Sequence, residues 1–283
     1  MQFEFPWALG PEPGRHTIRE RLGEAPSHVL VLGVLGAPER HRLLSRRRGR
    51  SVAAAPEPPP EPVVTSRATL VGTAALDGYE AAAAWLAGAD LDALADDAVV
   101  RLNRVLHAHR IAAADPYARE VARAQALVVR VGFGRGEHVA DGRWDRAREL
   151  PRQAGRALRG GAGRVHALRP QERLAGLLAA RDVALACEEL TLRTRLDADA
   201  ERWREAALGL RIAFEAALAE LEPWREVEGL PQRLAQLREY RAAVGATANA
   251  ALQGGLDDAQ IELIRAVVAR IEAALRARTA GGV

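Results

Sequence analysis

The sequence contains no lysine: all 40 of its basic residues are arginine. Schiff-base chemistry on a lysine amine and a Walker-type phosphate-loop lysine are therefore excluded. A GC-rich bacterial coding sequence explains the bias, because it favours Arg, Ala, Gly and Pro codons together. There is one cysteine, Cys187. It permits no intrachain disulfide and no cysteine-built zinc site, which fits a reducing, cytoplasmic setting. On its helix it reads as a buried structural thiol. Aromatic residues make up only 4% of the chain. With abundant Ala and Leu, that scarcity suits close helix–helix packing better than a large β-sandwich. The longest apolar run, residues 29–35, is far too short to span a bilayer, so no membrane span is expected. The first residues lack the positive-then-apolar plan of a signal peptide.

What is present points to a predominantly α, α+β protein. Its expected parts are a small N-terminal antiparallel sheet, a middle helical layer and a C-terminal antiparallel helical bundle with one long helix. Phe3, Phe5 and Trp7 alternate with polar or small neighbours, the period-2 mark of a strand, and Pro6 places that strand at a sheet edge. Residues 15–22 form a second strand, and residues 28–35, apolar on both faces, a central one. A further strand at 63–74 can return to the same sheet. Between them lie Arg40, Arg42, Arg46, Arg47, Arg48 and Arg50 without an acid, then a proline-rich stretch at 51–62. That composition predicts a disordered loop at about 40–62.

From Asp77 onward the period becomes helical. A short helix covers residues 78–86, and Asp90 caps a second that carries Leu94, Val99, Leu102 and Leu106. A third is expected from Pro116 to Val131, stopping at Gly132. Residues 151–169 read as a Gly/Arg-rich linker between a domain at 1–150 and a bundle at 170–283. From 170 to 221 the chain has no internal proline and only two glycines. Leu178, Leu185, Leu192, Leu196, Leu210 and Trp203 recur with one four-residue step among sevens, predicting one long helix with a coiled-coil-like seam and a stutter. A helix over 231–254 and another capped by Asp257 and Gln260 complete the bundle.

Three functional readings follow. The leading one is a non-catalytic interaction or assembly protein that uses the seam to hold a protein partner or a second copy. No cofactor is implied and no metal site is expected: His107 and His109, two apart, face different ways on a helix. The acidic pairs Asp96-Asp97, Glu188-Glu189, Asp197/Asp199 and Asp257-Asp258 read as solvated faces or caps, and no nucleophile-elbow or zinc-protease pattern occurs. These absences lean away from an enzyme. The second reading is nucleic-acid or polyanion binding through two acid-free arginine loops, Arg46, Arg47, Arg48 and Arg50 in one and Arg152, Arg156, Arg159 and Arg164 in the other. The bundle is nearly neutral, with 16 Arg against 18 acids over residues 166–283, so such contacts belong to the loops. The third is an enzyme with a site near Gly132, Gly134, Gly136 and Glu137. A helix ending in a flexible turn is the simpler reading there; were Val128 to Val131 a strand, the glycines could approach a phosphate.

Overall fold

The computed structural model describes residues 1–21, 23–36, 64–152 and 170–281. The chain divides into two units, Met1–Gly155 and Arg156–Val283. The N-terminal unit is built on strands β1 (Gln2–Phe5), β2 (Gly14–Ile18), β3 (His28–Leu35), β4 (Thr65–Gly72), β5 (Val128–Phe133) and β6 (Arg146–Glu149). They form one antiparallel sheet in the order β2-β3-β4-β1-β5-β6. The strand that was expected at an edge is thus an interior one. It stops at Phe5, so Pro6 falls outside the ladder and costs it no hydrogen bond. The return of β4 to the first sheet is as expected: it pairs with β3 over eight residues, His28 opposite Gly72 and Leu35 opposite Thr65.

Helices α1 (Gly78–Gly88) and α2 (Leu91–Ala112) follow. Asp90 caps α2 by accepting hydrogen bonds from the amides of Asp92 and Ala93. The stripe Ala95, Val99, Leu102 and Leu106 packs on Phe3, Phe5, Leu30, Leu32, Ala68 and Val129, which share one face of the sheet through the register Phe3–Ala68, Phe3–Val129 and Leu32–Ala68. The helix expected from Pro116 to Val131 is absent. The chain there turns at Pro116–Tyr117, makes a short 3-10 turn at Arg123–Gln125 and enters β5. Tertiary anchors override the local periodicity. Asn103 exchanges two hydrogen bonds with the backbone of Val121, and buried Arg123 pairs with Asp92 and Asp96 on α2.

The C-terminal unit holds α3 (Pro170–Leu178), α4 (Ala186–Asp199), α5 (Trp203–Glu220), α6 (Leu230–Glu239), α7 (Arg241–Gln253) and α8 (Asp258–Gly281). Residues 170–221 are therefore three helices rather than one. The first break has no glycine or proline. Ala180 takes a left-handed φ of 53°, and the Asp182 carboxylate accepts hydrogen bonds from its neighbour's amide, from Arg173 and from Arg278. The second break turns at Glu201, φ 57°, with Arg202 bound to Asp197. The reversal lays α5 back along α4, where Gly209 is required, since a Cβ there would lie 2.8 Å from the Thr194 hydroxyl. The unit's core runs through Leu210, Phe214, Leu221, Leu234, Leu237, Val268 and Ile271. At α8 the expected capping box is present, Asp257 and Gln260 each accepting the other's amide hydrogen.

Candidate functional site

Because β1 runs antiparallel to both β4 and β5, the C-terminal ends of β4 and β5 lie at the same end of the sheet, beside the start of β3. At that end, under α1 and α2, the N-terminal unit contains an open cavity of about 1000 Å³. Its floor is Leu70 to Gly72 of β4 and Val131 to Phe133 of β5, with His28 at the head of β3. Helix α1 contributes Tyr79, Ala82 and Trp85, spaced by three so that they share a face, and α2 contributes Leu94, Ala98 and Arg101, spaced by four and three on one face. The turn after β5 adds Gly134, Arg135 and Gly136, and Trp144 also lines the space.

The aromatic content is what distinguishes this cavity. The chain has five Trp, three Tyr and four Phe. Two of the Trp, one Tyr and one Phe line this one space, and none of the four is in the buried core. Tyr79 and Phe133 meet edge to face at 5.4 Å and form an aromatic wall. Polar groups are few: His28, Thr73, Asp97, Arg101, Arg135 and Asp145. Arg101 is already engaged with Asp97 and Glu20, whereas Arg135 stands exposed at the lining.

The glycine segment begins inside β5 at Gly132 and runs on past its end, and it borders the cavity. Gly132 and Gly134 are needed for close packing, whereas Gly136 faces open space and takes a left-handed φ of 56°. A side chain at Gly132 would collide with the carbonyl of Arg146 and with Ala147 across the β5–β6 ladder. One at Gly134 would meet Val139 at 2.8 Å and the Arg143 carbonyl at 2.9 Å. The following helical piece, Gly136–Asp141, is a single 3-10 segment. A nucleotide-binding strand–loop–helix unit is not what these residues form.

The remaining candidates separate. Arg46, Arg47, Arg48, Arg50, Arg156, Arg159 and Arg164 lie outside the described residues; Arg152 is exposed. The seam is not continuous. Leu210 is buried and Leu185 and Trp203 border the core, but Leu178, Leu192 and Leu196 are 80%, 65% and 48% exposed. The acidic pairs are taken up structurally, Asp96 by Arg123, Asp97 by Arg101, Glu188 by Arg173 and Asp197 by Arg202. Among the described residues no cluster of His, Cys, Asp and Glu is arranged to hold a metal ion. Cys187 is fully buried, and desolvation, with Glu220 beside it, pushes its thiol up to about 12. No helix among the described residues is long and apolar enough to cross a membrane.

The comparisons add no relative. No family model, no curated protein and no solved structure matches the chain. Function must be argued from the cavity itself.

Proposed function

We propose that the N-terminal unit binds a small planar aromatic molecule in the cavity at the end of its sheet. The observation that carries this reading is the concentration of partly exposed aromatic side chains around one space, in a chain otherwise poor in them. The volume is that of a drug-sized ligand site, and its mainly apolar wall with a few polar groups is the composition such sites have. Flat ring faces at Trp85, Trp144 and the Tyr79–Phe133 pair favour a flat guest, by stacking and edge contacts. Arg135 adds a cation suited to an acidic substituent.

Titration with the fluorescent aromatic sulfonate anilinonaphthalenesulfonate tests this. One saturable site per chain is expected. Ala75→Trp, a substitution at an exposed lining position, should weaken it at least ~10-fold by filling the space. Unsaturable binding, or binding indifferent to Ala75→Trp, contradicts the reading.

A second reading, non-catalytic self-assembly, draws on the C-terminal unit. Leu174 and Leu178 on α3 and Leu192 and Leu196 on α4 are pairs four apart, each pair on one helix face, and all four are exposed. Exposed apolar pairs of this kind favour burial against a second copy of the chain. Light scattering after size exclusion should give a dimer mass that falls when Leu192 and Leu196 are both changed to Gln. A monomer at every concentration is the contrary result.

A further inference from the structure

The cavity contains one polar atom whose hydrogen-bonding sense is fixed by its surroundings. His28 lies at the start of β3, opposite Gly72, and lines the cavity. Its Nδ1 is 3.0 Å from the Ser27 hydroxyl oxygen. That oxygen is in turn 3.1 Å from a carboxylate oxygen of Glu20 and 3.5 Å from the carbonyl of Ile18. Both of these are acceptors only. Glu20 is ionised because Arg104 and Arg101 bind it, Arg104 at 2.5 Å, which with the Ser27 hydrogen bond brings its carboxyl down to about 2. The single hydroxyl hydrogen of Ser27 is therefore spent on Glu20, and its oxygen can only accept from His28.

The hydrogen of the neutral imidazole thus resides on Nδ1, and Nε2 keeps its lone pair. Burial lowers the pKa of His28, which favours this neutral ring. The charged groups around it do not occupy Nε2: the guanidinium of Arg101 is committed to Asp97 and Glu20. Among the described residues no hydrogen bond reaches Nε2. His28 lines the cavity, whose wall is mostly apolar.

We infer that the cavity selects a planar aromatic molecule bearing an N–H or O–H donor, which it reads through Nε2 of His28. The inference rests on the aromatic-ligand reading of the same cavity and names the substituent that ligand carries. A guest without the donor leaves Nε2 desolvated and unpaired, so it binds more weakly although its rings fit equally well.

Indole and N-methylindole are a matched pair for the test, alike in ring system and different at the one hydrogen. Calorimetric titration of the full chain should show indole binding about ten-fold more tightly. His28→Leu should abolish the difference, and Ala75→Trp should weaken both probes. Equal affinities in the wild-type chain, both reduced by Ala75→Trp, would overturn the donor inference and leave the cavity reading standing. Failure of both probes to bind, or indifference of both to Ala75→Trp, would remove the cavity reading and this inference with it. Should His28→Leu fail to fold, nitrogen-15 shifts of the imidazole in the wild-type chain decide the matter. Protonated Nδ1 with a bare Nε2 is expected, and a proton on Nε2 overturns the inference.

Discussion

Arg278 is 2% exposed in the last turn of α8, and it closes on a segment 96 residues earlier. Its guanidinium lies 2.8 Å from Asp182, 3.6 Å from Glu188 and 4.4 Å over the Trp224 ring, and it donates to the Val183 carbonyl. A cation at a helix C-terminus is favourable in itself. Here it also holds the α3–α4 turn in place of the helix that local periodicity would continue. Removing it leaves Asp182 and Glu188 with Arg173 as their remaining ionic partner. Arg278→Leu should therefore lower the stability of the C-terminal unit by about 3 kcal/mol, read as a shifted urea midpoint. A shift under ~0.5 kcal/mol would assign the turn to packing alone. This residue also shows why the break was illegible in the sequence. Residues 179–185 carry no helix breaker, and the partner that stabilises their turn is remote along the chain. His28 was hidden for the same reason: it looks isolated until β3, β4 and β5 bring it to the aromatic residues of α1 and the β5–β6 turn.

At the scale of elements, legibility followed how local the cause was. The caps at Asp90 and Asp257 use side chains within three residues, and both formed as the sequence indicates. β3 was read to its ends because the apolar run at residues 29–35 leaves few alternatives. The segment at 116–131 misled because its apolar spacing satisfies a helix, while Asn103 and Arg123 hold it against α2. The seam misled differently. Its leucines keep a sevenfold count across two turns, but α3, α4 and α5 each present their own face, and half the counted positions end in solvent.

The β2–β3 connection offers an element-scale test by acid. Glu20 ties it to Arg101 and Arg104 of α2, and its carboxyl is lowered from 4.5 to about 2, mainly by the Arg104 hydrogen bond. A depressed carboxyl contributes stability that is complete above 4.5 and is lost as the pH falls through 2. His28 acts in the same direction. Its folded pKa is below 6.5, so the unfolded chain takes the proton first and stability declines as the pH drops below that value. Thermal melts should show the N-terminal unit weakening steadily from neutral pH into acid, and Glu20→Gln should flatten the lower part of that profile. A profile unchanged by Glu20→Gln would contradict the link.

At the scale of the whole molecule, the predominantly α, α+β class was legible from composition and period, and the two units are each built around their own core. The cavity was not legible as a site. Only its glycine border stood out in the sequence, and there Gly132 and Gly134 serve the β5–β6 hairpin. The usable signal was the scarcity of aromatic residues combined with their positions outside any strong apolar stripe: Tyr79 and Trp85 on an Ala-rich helix, Trp144 in a glycine-rich region. Five tryptophans provide the reporters for a direct test of the claim that this cavity binds an aromatic guest. In a nitrogen-15 spectrum of the full chain titrated with indole, the side-chain signals of Trp85 and Trp144 should move and saturate together, while those of Trp203 and Trp224 stay fixed. Movement of Trp203 or Trp224 with Trp85 and Trp144 unaffected would contradict the account.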